Sequence, residues 1–322
     1  MYNKTLRLEP DSPAYRAALE RCRKIDTVQD SLDGVLDSTV LGDCFAVLPL
    51  LPRESVDLLI ADPPYNRTKQ YGKSRFRPMD AESYADFTRR WLTLALPLLK
   101  PTGSLYVCCD WQTSLIAGPV LAEMTTLRNR ITWQREKGRG AAANWKNGME
   151  DIWFATRGEK YTFHLDAVRL RRRVLAPYRE NGRSKDWSDT PDGRFRDTCP
   201  SNFWDDITVP FWSMPENTDH PAQKPEKLLA KLILASSDPG DVVLDPFAGS
   251  GSTSVTAKKL GRRYIGIEKE PEYCCLCEKR LEDACEGGRI QGYAGGVFWE
   301  RNTGRQQEDL HLTPAAGNDK IE

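Results

Sequence analysis

The side chains best suited to chemistry stand together in Asp62-Pro63-Pro64-Tyr65. They follow the apolar run Val56–Ala61, which predicts a buried strand. A carboxylate accepts hydrogen bonds from an amino group, and the prolines fix the backbone while their carbonyls remain acceptors. A tyrosine ring can stack on a planar base. Taken alone, the segment also fits a tight turn after a strand, but its residue types favour a site for a flat, amino-bearing group.

A glycine-rich segment further along the chain indicates a ligand-binding turn. Val242–Leu244 leads into Asp245-Pro246-Phe247-Ala248-Gly249-Ser250-Gly251-Ser252-Thr253. This order predicts a strand, a turn and a helix over Ser254–Leu260, with glycines that let the backbone approach a ligand. The next strand, Arg263–Ile267, ends at Glu268, and an acid in that position commonly binds ribose hydroxyls. The combination predicts a nucleotide-type cofactor site.

With these two segments, the chain resembles the S-adenosylmethionine-dependent amino-group DNA methyltransferases. The catalytic tetrad precedes the cofactor turn, as in the permuted β-type members. Two further markers are His220-Pro221-Ala222-Gln223-Lys224-Pro225 and Gly42-Asp43, and the resemblance extends over Val40–Leu281. It implies an α/β fold with a doubly wound, mostly parallel Rossmann-like sheet. It also implies S-adenosyl-L-methionine as cofactor, double-stranded DNA as substrate, frequent dimerisation and, in some members, a cognate restriction enzyme.

The resemblance also implies a role for each matching residue. The catalytic residues would be Asp62, Pro63, Pro64 and Tyr65. The cofactor-binding residues would be Asp43, His220, Gln223, Lys224, Asp245, Phe247, Ala248, Gly249, Ser250, Gly251, Ser252 and Glu268. Within this set, Lys224 is expected to approach the methionine carboxylate and Glu268 the ribose. Ordinary structural roles, a helix-start lysine and a loop acid, remain open for both.

The first residue of the tetrad bears on the target atom. In the family, Asp at this position favours N6 of adenine, and cytosine N4 is the rival. Because the chain contains no Pro-Cys dipeptide, a covalent cysteine mechanism on a ring carbon is disfavoured. The target base is expected to leave the duplex stack. RNA or protein methylation, and a catalytically silent DNA-binding module, are weaker alternatives.

A basic region interrupts the alternation of strands and helices. Between Arg128 and Lys185 there are 15 basic and 6 acidic residues, and residues 157–219 are expected to form an irregular target-recognition insert. Its candidate DNA-binding residues are Arg169, Arg171, Arg172, Arg173, Arg179 and Arg183. A solvated charged loop is the alternative. Trp133 and Trp145 are candidates for the wall of a base pocket, or for core aromatics.

Five segments organise the chain. They are an accessory arm (1–37), a catalytic half (38–156), the insert (157–219), a cofactor half (220–286) and a C-terminal extension (287–322), with a disordered tail from about 303. Predicted strands are Thr39–Leu41, Val56–Ala61, Ser104–Cys109, and two edge strands, Arg130–Trp133 and Asp151–Ala155. Predicted helices are Tyr15–Val28, Ala81–Leu99, Pro225–Ser236, Ser254–Leu260 and Pro271–Glu286.

Composition narrows the class of protein. The 46 basic and 46 acidic residues give zero formal net charge, so DNA contact must come from a local patch. Nine cysteines without a secretory signal, and no apolar stretch long enough to span a membrane, favour a cytoplasmic protein with mostly unpaired thiols. Cys274, Cys275, Cys277 and Cys285 fall on a predicted helix and are expected to pack as small apolar residues. No metal site is therefore expected.

Overall fold

The computed structural model describes residues 3–135, 143–175, 179–180, 183–184, 187–190, 193–301 and 303. The predicted disordered tail beyond residue 303 lies outside the described residues, as does Lys185 at the end of the basic region. Within the described chain, no helix has both the length and the apolar character that crossing a membrane requires. The nine cysteines are free thiols.

The central sheet has eight strands. They are Ser38–Leu41 (β1), Val56–Ala61 (β2), Leu99–Cys109 (β3), Thr126–Gln134 (β4), Met149–Thr156 (β5), Phe203–Trp204 (β6), Val242–Asp245 (β7) and Arg263–Glu268 (β8). Their spatial order is β1-β8-β7-β2-β3-β5-β4-β6. Five of the seven pairings are parallel, and only β5 runs antiparallel to its neighbours β3 and β4. The predicted mostly parallel sheet is confirmed.

Helices cover both faces of the sheet. They are Pro13–Arg21 (α1), Cys44–Val47 (α2), Ala81–Ala95 (α3), Trp111–Met124 (α4), Glu226–Ser236 (α5), Ser252–Lys259 (α6) and Pro271–Asp283 (α7). In β2, Leu59 and Ala61 pack with α2, α3 and α4, whereas Leu58 and Ile60 pack with α5, α6 and α7. Burial on both faces explains why the strand is apolar apart from Asp57.

Some predicted boundaries were wrong. The helix expected over Ala81–Leu99 ends at Ala95, and a 3₁₀ turn, Leu96–Leu98, holds Pro97 before β3 begins at Leu99. The two strands expected at the edge are internal: β5 lies between β3 and β4, and β4 pairs with the short edge strand β6. The two residues of β6 carry too little pattern to be recognised from sequence.

The insert and the C-terminal extension build a second sheet together. In spatial order its strands are Ser188–Thr190, Gly193–Thr198, Leu170–Arg173, Val297–Trp299 and Tyr293–Ala294. The prediction of an irregular insert was therefore wrong for these residues. Pairing of Phe298 with Leu170 joins segments far apart in sequence, which local patterns do not reveal.

The N-terminal arm is integrated into the fold rather than lying loosely on the surface. α1 packs on α7, and the Cys22 and Cys274 sulfurs lie 2.8 Å apart. Arg23 N donates to Thr39 O at 2.8 Å, which attaches the arm to β1. Leu6 N donates to Asn217 O at 2.8 Å, beside the loop that leads to His220. The helix itself is shorter than predicted.

α7 carries three of the four clustered cysteines. Cys274, Cys275 and Cys277 are fully buried, which confirms the expectation that they pack as small apolar side chains. Cys285 is exposed, because α7 ends at Asp283 instead of continuing to Glu286. Among the described residues, no group of His, Cys, Asp and Glu could hold a metal ion.

Candidate active site

Two loops meet at the carboxyl edge of the central sheet. β2 and β7 are adjacent and parallel, so both end on the same side. The tetrad and the glycine-rich turn consequently open onto one cavity of about 400 Å³. This confirms that the two segments share one crevice. The predicted residues that line it are Asp43, Asp62, Pro63, Pro64, Tyr65, His220, Gln223, Lys224, Asp245, Phe247, Ala248, Gly249, Ser250, Ser252 and Glu268.

Carboxylates fix the shape of the glycine-rich turn. Gly249 has φ +53°, and its N–H donates to Glu268 Oε2 at 2.8 Å. Asp245 accepts from Phe247 N at 2.9 Å and from the Thr253 hydroxyl at 2.6 Å. Burial raises the pKa of Asp245 to about 7. Both carboxylate oxygens of Asp245 accept hydrogen bonds within the turn, so this residue stabilises the conformation of the glycine-rich turn.

Gly251 departs from its predicted place, because it does not line the cavity. Its φ is +76°, and a Cβ there would overlap the Cys277 sulfur on α7. Glycine is required by this close approach and by the left-handed backbone before α6. The next residue, Ser252, accepts a hydrogen bond from Arg280 Nη1 at 3.0 Å.

The loop before α5 forms another wall of the cavity. His220 lies beside the turn, where a Cβ on Gly249 would be 2.9 Å from its ring, and stands edge-on to Tyr273 at 4.4 Å. Burial lowers the pKa of His220 to about 3, so the ring is neutral. Gln223 is engaged within the loop, where its Oε1 accepts from the Thr218 amide and hydroxyl at 2.9 and 2.7 Å.

Asp43 and Phe247 are held by their own elements. Asp43 caps α2 by accepting from Phe45 N at 2.9 Å. Phe247 stands edge-on to Trp91, with ring centroids 5.6 Å apart. Both side chains reach the cavity from rigid positions, which suits a preformed ligand site.

The tetrad is held from several sides. The Tyr65 hydroxyl donates to Glu150 Oε2 at 3.0 Å, and the Tyr84 hydroxyl donates to the Pro64 carbonyl at 2.9 Å. The Arg67 guanidinium lies 5.3 Å from the Tyr65 ring centroid. The proline pair and these contacts keep the loop in one conformation.

Lys224 is paired with the tetrad. Its Nζ lies 2.6 Å from Asp62 Oδ2 and 3.5 Å from Glu150 Oε2, and its expected approach to the cofactor carboxylate stays a prediction. Burial by itself lowers the pKa of Lys224, but the two carboxylates outweigh burial and raise it. Lys224 is therefore a charged partner of the Asp62 carboxylate.

The second carboxylate oxygen of Asp62, Oδ1, is the atom of the site that most directly indicates a ligand. Oδ1 is buried and has no hydrogen-bond partner among the described residues. A buried acceptor without a partner is unfavourable in the free protein. Burial raises the pKa of Asp62, and Lys224 opposes that shift. The arrangement leaves one acceptor directed to a ligand.

Glu150 is a residue of the site that sequence reasoning missed. It is the second residue of β5, and its partner across the ladder is Trp133. Because β5 is antiparallel to β3, its beginning lies at the edge where the parallel strands end. The available signal was an acid in phase with the inward-facing Ile152 and Phe154.

The predicted DNA-binding arginines fall into two groups. Three are paired with carboxylates: Arg169 with Asp166, Arg171 with Asp197, and Arg172 with Asp205 and Glu300. These pairs connect parts of the small sheet and its flanks. Arg173 and Arg179 are exposed, and Arg179 lies 5.5 Å from the Trp187 ring. The side chain of Arg183 is outside the described residues.

Only one of the two tryptophans proposed for the base pocket lines the cavity. Trp133 is buried, lines the cavity and donates through Nε1 to Ile207 O at 3.1 Å. Trp145 is 94% exposed and does not line the cavity. Only Trp133 belongs to the wall.

Fold and site together are those of an α/β methyltransferase, with a glycine-rich turn beside a polar edge of the cavity. The N6/N4 methyltransferase family model, described as DNA methylase, matches residues 56–279. The chain is 35% identical over 250 residues to the DNA adenine methyltransferase YhdJ of Escherichia coli (strain K12), covering 76% of this chain and 82% of that protein. The chain therefore belongs to the N6/N4 DNA methylase family and is a DNA methyltransferase.

Other relatives agree with this family. Type II methyltransferase M.HpaI of Haemophilus parainfluenzae is 32% identical over 251 residues, which cover 77% of this chain and 75% of that protein. The PvuII DNA methyltransferase (cytosine-N4-specific) superposes with a TM-score of 0.56 at 19% identity, covering 80% and 92% of the two chains. A protein of Thermus thermophilus, solved with S-adenosyl-L-methionine, gives 0.52 at 23% identity, covering 82% and 97%. These two structures agree in fold.

The cofactor is S-adenosyl-L-methionine, the methyl donor of this enzyme class, and the cavity fits it. Its volume lies in the range of ordinary ligand sites. Acceptors that suit ribose hydroxyls and a cationic donor come from Asp43 and Glu268, and the Gly249 backbone permits close approach. When bound, the cofactor supplies a methyl group on a sulfonium.

Proposed function

We propose that this protein methylates N6 of adenine in DNA, acting on a base that has left the duplex stack. The observation that carries the proposal is the buried Oδ1 of Asp62, which has no hydrogen-bond partner in the described part of the chain, in the cavity that Tyr65 also lines. An exocyclic NH₂ group supplies the donor that this oxygen lacks. The similarity to an enzyme named as a DNA adenine methyltransferase supports the choice of adenine.

The residues divide the work between binding and activation of the amine. Tyr65 stacks on the base and offsets part of the few kcal/mol that extrusion costs. Asp62 Oδ1 and the Pro63 carbonyl accept the two amine hydrogens. The nitrogen lone pair is then less delocalised into the ring and is directed for in-line attack on a methyl group.

The Lys224 ammonium, 2.6 Å from Asp62 Oδ2, favours the ionised form of Asp62 and opposes the effect of burial on its pKa. As the amine nitrogen becomes methylated it gains positive charge, and its N–H becomes acidic. Asp62 stabilises that charge and accepts the released proton without being a strong base.

Two exposed arginines of the insert, Arg173 and Arg179, are proposed to contact the DNA backbone. Binding should therefore weaken steeply with salt as counterions are released. A flat salt response would contradict this assignment.

Further expectations concern the partners and location of the protein. Self-association is proposed from the family resemblance. Its test is the molar mass measured by light scattering after size-exclusion chromatography. A cognate restriction enzyme would be blocked by DNA carrying this modification. A cytoplasmic location is proposed from the cysteine usage and is tested by fractionation.

The test is nucleoside analysis of DNA from a methylation-free host that expresses the chain. We expect N6-methyladenine, whereas N4-methylcytosine without N6-methyladenine would overturn the proposed target. Asp62→Ala should abolish transfer while DNA binding is largely kept. The control is Asp57→Asn, on the strand β2 that leads to Asp62 but paired with Lys100 at 2.7 Å, and it should remain active.

A further inference from the structure

Glu150 is a buried carboxylate in the cavity wall that the mechanism above does not use. Only 4% of the residue is exposed. Its Oε2 accepts from the Tyr65 hydroxyl at 3.0 Å and lies 3.5 Å from Lys224 Nζ. Its Oε1 is paired with Arg135. One side chain therefore touches the stacking ring, the partner of Asp62 and the end of β4.

The fold itself does not call for a charge at this position. Glu150 follows the same inward phase as Ile152 and Phe154, which pack in the apolar cluster under α5. Burying a carboxylate costs several kcal/mol unless it is paired, and apolar replacement of buried ion pairs is often neutral or stabilising. Its contacts point to the catalytic side of the cavity.

We infer that Glu150 is a positioning residue that fixes the Tyr65 ring and the Lys224 ammonium, so that Asp62 Oδ1 stays available to the target amine. The inference rests on the proposed function. Without the Glu150 acceptor, the Tyr65 hydroxyl loses its anchor and the ring can turn away from the base. Without its charge, Lys224 is held by Asp62 alone and can draw closer to both carboxylate oxygens.

The two halves of the cavity should respond differently to a change at Glu150. Its hydrogen bonds and ion pairs go to Tyr65, Lys224 and Arg135. The glycine-rich turn is held separately, through Glu268 and Asp245. Loss of Glu150 should therefore impair turnover and base stacking while cofactor binding is retained.

The primary test compares Glu150→Gln with Asp151→Asn. Asp151 is the adjacent residue of β5 and equally buried, but it accepts from the Thr132 hydroxyl at 3.0 Å and does not line the cavity. Measurements are kcat, KM for DNA, the calorimetric Kd for S-adenosylmethionine and Tm. For Glu150→Gln we expect kcat to fall about tenfold to hundredfold with Kd within about threefold. Asp151→Asn should keep kcat within about twofold.

A spectroscopic measurement separates positioning from general loss of stability. DNA with 2-aminopurine at the target adenine reports whether the extruded base is stacked. Glu150→Gln replaces the two carboxylate oxygens that accept from Tyr65 and Arg135 with a single amide oxygen, and Tyr65→Phe removes the Tyr65–Glu150 hydrogen bond while keeping the ring. Both single variants should raise the fluorescence of the bound base. The double variant should add little to Glu150→Gln, since the two share one contact.

Three results would overturn the inference. They are equal kcat in Glu150→Gln and Asp151→Asn, additive losses in the double variant, and cofactor affinity that falls as much as kcat. If Glu150→Gln does not fold, Tyr65→Phe alone decides, and wild-type kcat with unchanged fluorescence would refute the contact. A wild-type enzyme that produces N4-methylcytosine would overturn the proposed target base but leave the comparison of variants valid.

Discussion

Removing the charge of Lys224 should move the acid limb of the pH–rate profile upward. Lys224 Nζ is 2.6 Å from Asp62 Oδ2 and 3.5 Å from Glu150 Oε2. At an effective dielectric constant near 20, unit charges about 4 Å apart interact by roughly 4 kcal/mol. Breaking a buried pair by removing one partner typically costs about 3–5 kcal/mol. Lys224→Met therefore leaves the buried Asp62 beside Glu150 without its cationic partner.

The direction follows from the groups around Asp62. Burial raises the pKa of Asp62, Lys224 lowers it and Glu150 raises it. Without the lysine its lowering influence is lost while burial and Glu150 still raise the pKa of Asp62, so this pKa should increase, as for a carboxyl that loses an adjacent cation. Catalysis requires ionised Asp62, so activity is lost as the pH falls through this higher pKa.

The assay is transfer of radiolabelled methyl groups to DNA between pH 5 and 10. We expect the acid limb of kcat/KM for Lys224→Met to move to higher pH. Lys69→Met is the matched control, because Lys69 also lines the cavity but donates to Pro221 O at 3.2 Å. The double variant Lys224→Met/Glu150→Gln should bring the limb partly back. An acid limb that stays in place in Lys224→Met would refute the reasoning.

Three other changes test separate parts of the structure. Gly251→Ala should lower stability by about 2–4 kcal/mol in urea unfolding, because a Cβ would overlap the Cys277 sulfur in a left-handed backbone; unchanged unfolding would contradict the close approach. Burial raises the pKa of Glu216 to about 7, so its contribution to stability is present below its unfolded pKa and lost as the pH rises through 7. Glu216→Gln should therefore flatten Tm between pH 5 and 8, and an unaltered slope would argue against a raised pKa. Arg173→Ala should reduce the salt slope of DNA binding by about one. Arg171 is already paired with Asp197, so Arg171→Ala should change the slope less. Equal slopes for the two variants would contradict the division of the arginines into paired and exposed groups.

Much of the fold was predictable because its signals are local. β2 spans Val56–Ala61, as the sequence predicted, and β7 and β8 agree within a residue. An apolar run bounded by polar or glycine residues specifies a strand over a few positions. The end of α3 is one boundary that was predicted wrongly. The helical spacing of apolar residues continues past Ala95, although the chain there forms a 3₁₀ turn that contains Pro97.

The sequence by itself determined the class of chemistry. The tetrad and the glycine-rich turn each require particular residues in a row, and their place at strand ends follows from the strand pattern. Only the tertiary structure decided which side chains of the site contact one another. Lys224 reaches Asp62 across 162 positions and Glu150 reaches Tyr65 across 85. Those contacts depend on strand order and on β5 running backwards, and no local pattern encodes either, because side chains distant in sequence meet only when the sheet is assembled.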